Sequence, residues 1–325
     1  MKICQFGLLL IIVSMNFFAM ASHAAVWAEI GEIESRQNIN IQLGLPIQAE
    51  ADQVIVSRRQ YALSWDVGER TPLWVGWVLN RSFLGTTARS KNFKMDQQLE
   101  SYLTDWSQQS VRPDDFKGTC IDKGHQVASG DRTSSTPDNQ STFLMSNIAG
   151  QTAFLNRRSW VSFEKFLRVL VLEQGREVFA YSGGSSDQWG YIGPKKDIKV
   201  SKENFKVVVI KPAGSQGWDL SKFRLLVLNF PNSTSKGTDP LVDREQACYD
   251  SAHTIQLAEE NRAPLWLPYV TSLNAVEVSS KSSFKFLDAI TPITQRELND
   301  LINQQIRNGH QYKNPVQMLM STELW

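Results

Sequence analysis

The sequence predicts a mixed α+β domain. Short β-branched and aromatic runs recur between turn residues, two longer stretches carry apolar residues at helical spacing, and no Pro/Gly/Ser-rich linker is long enough to divide the chain. No internal repeat or low-complexity tract is found.

Taken in order, the first 24 residues hold one charge, Lys2, followed by the apolar run FGLLLIIVSMNFFAMA and by Ser22-His23-Ala24. A charged start, an apolar stretch and a small-x-small ending predict a signal peptide over residues 1–24. The run is broken by Ser14 and Asn16 and is short for a membrane span, so no anchor is expected after its removal. Residues 25–325 then form a single domain, secreted or periplasmic. The runs VIVSRRQYALSWD (54–66) and PLWVGWVLN (72–80) predict strands, split by a turn between Gly68 and Pro72. KGTCID (117–122) reads as a strand closed by His125, 131–141 as a polar loop, and STFLMSN (141–147) as a second strand. From Asn156, Trp160, Phe163, Leu167, Leu170 and Val171 fall on one helical face, and Gly175 serves as C-cap. FKVVVI (205–210) and FRLLVLNF (223–230) read as buried strands around the loop PAGSQGWD. Near the end, Thr294 and Glu297 have capping-box spacing, Leu298, Leu301 and Ile302 form an apolar stripe, and Gly309 stops it.

Charge gives little direction. Loss of Lys2 leaves 33 basic against 33 acidic residues, so any nucleic-acid surface must be a local patch. Of 3 cysteines, Cys4 leaves with the signal peptide, and an even pair in an exported protein predicts a Cys120–Cys248 disulfide, two free buried thiols being the alternative.

The chemistry centres on His125, which stands in a polar stretch 31 residues before Asn156. A neutral imidazole accepts a proton from water near neutral pH. An asparagine carbonyl is a hard oxygen ligand that suits Mg²⁺, which keeps most of its waters and yields some to a phosphodiester. Lys123 and Arg168 are cations within reach of such a phosphate. No Gly-rich phosphate loop, serine elbow or HExxH zinc motif competes. A zinc site on Cys120 and His125 lacks two ligands, and His253 and His310 have no supporting motif.

The order of these residues resembles the DNA/RNA non-specific endonucleases, the ββα-metal or His-Me finger nucleases. DKGHQVASGD (122–131) is similar to the family's D-R-G-H motif. FLMSNIAGQTAFLNRRSWVSFE (143–164) is similar to its N-I-x-P-Q segment followed by L-N-x-x-x-W and a glutamate. The likeness extends over roughly residues 60–290 and is specific over 120–168. It implies a central antiparallel sheet carrying a ββα catalytic unit within about residues 118–175, and an endonuclease that cleaves DNA and RNA with little sequence preference. It makes His125 the general base and Asn156 the single protein ligand of Mg²⁺, or of another divalent cation such as Mn²⁺. Asn147 then helps hold the site, Glu164 orients a water of the metal, and Arg168 lies near the phosphate. KNFKMD (91–96) resembles the family's R-N-W-K-x-D segment, which puts Lys91 where a substrate-binding arginine is expected, with Arg89 as the substitute. Arg157 adds grip on the nucleic-acid backbone. The oligomeric state stays open, a homodimer included.

The departures bear on activity. Lys123 and Lys91 both replace arginine, keeping charge but losing a bidentate fork, and Gly150 replaces a proline, which predicts a less rigid turn. They leave a rival reading, a catalytically weak exported nucleic-acid-binding protein of the same fold. Retention of both His125 and Asn156 argues for the enzyme.

Overall fold

The protein is seen here in a computed structural model, which describes residues 38–48, 52–103, 110–215, 217–254 and 264–307. The signal segment, Gly309 and His310 lie outside these residues.

The strands are β1 (Gln53–Ser57), β2 (Ala62–Asp66), β3 (Thr71–Leu79), β4 (Asp122–His125), β5 (Ile148–Gln151), β6 (Glu177–Gly184), β7 (Gln188–Ile192), β8 (Ile198–Ser201), β9 (Glu203–Lys211), β10 (Arg224–Pro231), β11 (Val270–Thr271) and β12 (Thr291–Pro292). The helices are α1 (Gln97–Tyr102), α2 (Thr136–Ser141), α3 (Val161–Leu172), α4 (Arg244–His253), α5 (Leu273–Ser280) and α6 (Gln295–Arg307). The main sheet runs β1-β2-β3-β6-β9-β10-β11, antiparallel throughout, with β12 joined parallel to β10. Two ribbons, β4–β5 and β7–β8, stand off it.

The continuous apolar runs have a simple cause: the main sheet is covered on both faces. In β9, Val208 and Ile210 join the core beneath α3, while Phe205, Val207 and Val209 join the opposite core, with Val276 and Phe284. Strand period two therefore places an apolar residue at nearly every position of the buried strands. The predicted helix stripe is buried, Trp160, Phe163, Leu167, Leu170 and Val171 each being at most 2% exposed. Gly175 ends it at φ +62°, where Arg176 N–H reaches back to the Leu170 carbonyl. The Thr294–Glu297 capping box forms in both directions, and Leu298, Leu301 and Ile302 enter the core beneath α3.

Several boundaries differ from the sequence reading. Residues 54–66 make a hairpin rather than one strand, turning at Arg58–Tyr61. Residues 117–121 are not strand, and β4 starts at Asp122. The loop 131–141 ends in α2, because the Ser135 hydroxyl accepts from Asp138 N–H and caps it. Residues 141–147 are not strand either, since Asn147 closes a turn there and the partner of β4 is β5. Gly150 pairs with Lys123 inside that ribbon rather than occupying a turn. Asn156 does not open its helix, which begins at Ala153 and is wound as a π-helix over Leu155–Trp160. Thr152 supplies the cap, its hydroxyl accepting from Leu155 N–H.

Candidate active site

The site is built on the β4–β5 ribbon and the helix that follows it. Period two in β4 puts Lys123 and His125 on one face, towards a cleft of about 460 Å³. Arg89, Lys123, His125, Asn156, Arg157, Glu164 and Arg168 all line this cleft. Arg89 stands on one wall, and the segment it belongs to is held there because Lys94 pairs through its backbone with Phe143 and Met145 and Ser90 N–H donates to the Asn139 side chain. A second cleft of about 530 Å³ is lined by Gln48, Asp66, Glu69, Lys199 and Lys281 and contains none of the motif residues.

Gly124 separates the two cleft residues of β4 for a steric reason. A Cβ there would lie 2.2 Å from Gln151 Oε1 and 2.4 Å from its Cδ. Gln151 is wholly buried and donates to Asn204 Oδ1 at 3.0 Å. Gly124→Ala should displace it and cost about 1–3 kcal/mol as an overpacked core position does, read as a lower melting temperature.

His125 is 7% exposed. Its ring packs edge-on to Phe143, with centroids 4.7 Å apart, and at 5.3 Å from Phe93. Its Nε2 has no hydrogen-bond partner. Burial, and secondarily the Arg89 guanidinium, pushes its pKa down to about 3, so the imidazole is neutral at physiological pH. Asn147 lies beneath the cleft, wholly buried: its Oδ1 accepts from Val127 N–H at 2.9 Å and its amide donates to the Val127 and Thr142 carbonyls. These bonds fix the turn after His125.

Asn156 Nδ2 donates to Asp122 Oδ2 at 2.9 Å. A carboxylate only accepts, so the amide nitrogen must face it and the carbonyl oxygen is left for another ligand. Asp122 also takes a bidentate contact from Arg157, at 2.8 and 2.7 Å. Arg157 Nη1 donates further to the Ser251 and Thr254 carbonyls. Its assignment to substrate grip is thus corrected: its donors are engaged within the protein, and it braces Asp122. Arg158 lies over the Phe154 ring and does not line the cleft.

Glu164 and Arg168 stand four residues apart on α3 without an ion pair between them. Arg168 Nη1 instead donates to Asp131 Oδ1 at 2.8 Å, and Trp77 Nε1 donates to Asp131 Oδ2. Glu164 is buried, which pushes its carboxyl up, while Lys206, Arg168 and Arg89 oppose that shift. Lys91 is exposed and lines no part of the cleft, whereas Arg89 sits over Phe143 and donates to the Ser129 hydroxyl. The structure therefore selects Arg89 over Lys91. The motif aspartate, Asp96, is structural: it caps α1, pairs with Arg58 at 2.6 Å and accepts from Ser146. Cys120 and Cys248 are bonded, with Cα atoms 4.9 Å apart.

Sequence reasoning assigned no role to Asp122, Asp131 and Lys206. The first two bound the quoted motif, and Lys206 was visible as the one charge in FKVVVI.

A ribbon and helix that present a neutral histidine, an asparagine oxygen and a carboxylate to a cation-lined cleft define a ββα nuclease. Its class is that of hydrolases acting on nucleic-acid phosphodiester bonds. The chain belongs to the DNA/RNA non-specific endonuclease family, whose sequence model matches residues 40–244. It is 29% identical over 262 residues to a nuclease of Nostoc sp., covering 79% of this chain and 82% of that one. It is 28% identical over 185 residues to mitochondrial endonuclease G of Homo sapiens, covering 53% of this chain and 59% of that one. Among solved structures, an endonuclease G described in complex with its inhibitor shares the fold, with a TM-score of 0.57 and 23% identity over 79% of this chain and 93% of that one.

Proposed function

We propose that the protein is an exported endonuclease that cleaves DNA and RNA with little sequence preference, using a divalent cation, Mg²⁺ or Mn²⁺. The observation that carries this reading is the convergence of an unpartnered, buried His125 Nε2 with the free carbonyl of Asn156 in one cleft. The donor set fits such a cation: Asn156 offers an uncharged oxygen, and Glu164 is the carboxylate lining the cleft. When bound at Asn156, the cation supplies neutralising charge to the phosphate and the leaving oxygen.

The protein's own residues do the rest. His125 accepts the proton of the attacking water at Nε2, and the phenyl rings of Phe93 and Phe143 hold the imidazole in place. Asp122 turns the Asn156 carbonyl into the cleft, and Glu164 accepts a hydrogen bond from a water beside it. Among the described residues, Arg157 and Arg168 are tied to carboxylates, while Arg89 and Lys123 line the cleft without one. Arg89 and Lys123 therefore meet the phosphate.

Lys123 tests that assignment. Its ammonium sits 5.4 Å above Phe93 and 5.5 Å from Phe116, and donates to the Pro113 carbonyl at 3.3 Å. Lys123→Arg should preserve or raise activity, because a guanidinium binds phosphate bidentately. Lys123→Ala should cost about 10–100-fold in cleavage rate, the worth of one charged hydrogen bond. An unchanged rate for Lys123→Ala on one duplex at fixed salt removes this lysine from the site.

The reading as a whole is tested by incubating the purified protein with plasmid and with RNA, in Mg²⁺ and then in chelator. Cleavage of both, stopped by chelation and restored by Mg²⁺ or Mn²⁺, supports it. Binding of either nucleic acid without cleavage supports the rival. Export is checked by sequencing the mature N-terminus, which should begin at Ala25.

A further inference from the structure

Arg89 is exposed and belongs to residues 84–93, which form neither helix nor strand. A long side chain on such a stretch loses rotamer freedom when a phosphate fixes it, unless the protein has fixed it beforehand. Two attachments do so here. Arg89 Nη1 donates to the Ser129 hydroxyl, and the N–H of the next residue, Ser90, donates to Asn139 Oδ1 at 2.7 Å. The two partners are themselves joined. Asn139 Nδ2 donates to the Ser129 carbonyl at 2.8 Å and to the Arg132 carbonyl at 3.1 Å. These bonds close a ring through Arg89, Ser129, Asn139 and Ser90. Ser129 and Asn139 are both buried, and both line the cleft. An asparagine amide accepts at its oxygen and donates through two N–H groups, and Asn139 uses all of these. Aspartate lacks the donors, and leucine lacks donors and acceptor alike. The ring also fixes Arg89 relative to the base. Ser129 follows His125 on the same segment, and the Phe143 ring carries both groups: Arg89 Cζ lies 5.1 Å from its centroid, and the His125 ring packs edge-on at 4.7 Å.

We propose that Ser129 and Asn139 are positioning residues for cleavage: they hold the Arg89 guanidinium ready for the phosphate, in register with His125. This rests on the nuclease reading above, in which Arg89 meets the phosphate. A purely structural ring predicts something different. Its loss would loosen the fold and lower activity by the same factor whether or not Arg89 is present.

The test measures kcat and KM on a short duplex in saturating Mg²⁺ for wild type, Ser129→Ala, Arg89→Ala and the double variant. Ser129→Ala should keep its melting temperature within about 4 °C. The turn around it retains its backbone bonds, from Asp131 N–H to the Ala128 carbonyl and from Arg132 N–H to the Ser129 carbonyl. The variant should lower kcat about tenfold and leave KM within about threefold. The guanidinium still attracts nucleic acid but is displaced from the phosphate as charge develops. In the Arg89→Ala background the same change should cost less than about twofold, the signature of one residue acting through another. Equal losses in the two backgrounds, or a loss confined to KM, overturn the positioning role and leave the nuclease reading intact. Asn139 is tested in the wild-type protein, because Asn139→Ala removes all three bonds of a buried amide and threatens the fold. Amide hydrogen exchange at Ser90 should be at least about tenfold slower than at Arg89 and Lys91. Exchange at Ser90 as fast as at those neighbours overturns the clasp. No cleavage by wild type in either Mg²⁺ or Mn²⁺ overturns the nuclease reading itself, and this proposal with it.

Discussion

His125→Ala should lower the rate of plasmid and RNA cleavage by about 10²–10⁴-fold, the range for loss of a general base, in a protein that still folds. The fold tolerates the change because the ring contacts Phe93 and Phe143 at the cleft edge, while Trp160 Nε1 bonds the His125 carbonyl, which alanine keeps. Cleavage within a few fold of wild type by the folded variant would falsify the assignment of the base. The same variant has a second readout. In the unfolded chain the imidazole takes up a proton near pH 6.5, but in the folded chain only near pH 3, because burial disfavours the cation. Between these values the unfolded state binds more protons, so wild-type stability falls as pH falls through that window. His125→Ala lacks this contribution, so denaturant titrations at pH 7 and pH 5 should show the smaller acid-side loss for the variant. Equal losses for the two proteins would show that His125 is hydrated in solution.

Removing the disulfide has the other large expected effect. Cys120 and Cys248 close a loop of 128 sequence positions. In the loop-entropy account such a bond stabilises by about 4–5 kcal/mol, which for a domain of this size is roughly 6–9 °C in melting temperature. Cys120 also stands at φ +60°, a left-handed conformation unfavourable for a residue with a Cβ. The bond matters for the site because it closes a circuit: Cys120 leads into Asp122, Asp122 holds Asn156 and Arg157, and Arg157 holds the Ser251 and Thr254 carbonyls at the end of α4, which carries Cys248. The Cys120→Ser, Cys248→Ser protein should therefore melt lower and also need more Mg²⁺ for half-maximal cleavage. A lower melting temperature with an unchanged Mg²⁺ requirement confines the bond to stability. Unchanged melting shows that the circuit holds without it.

The sequence by itself determined the α+β class, the buried strands, the two long helices with their Gly175 and Thr294–Glu297 caps, and the pairing of the two cysteines. Each of these is local, or depends on a count: periodicity, capping residues and an even number of thiols need no knowledge of which distant segments touch. The two motifs likewise placed His125, Asn156, Asn147 and Glu164 around one unit, because ribbon and helix are neighbours in the chain. Boundaries inside that unit were missed where side chains decide them, as Thr152 does for the helix start and Asn147 for the turn before β5. Only the tertiary structure decided which cations are free. Arg157 and Arg168 look as available in sequence as Arg89 and Lys123, but their carboxylate partners lie 35 and 37 positions away and meet them only once the ribbon folds against the helix. The charge of Lys206 was legible and its burial between Trp77 and Trp160 was not, since β9 approaches α3 through the register of the main sheet. Charge pairing and desolvation depend on distance in space, and chain spacing does not encode that distance once the partners sit on separate elements.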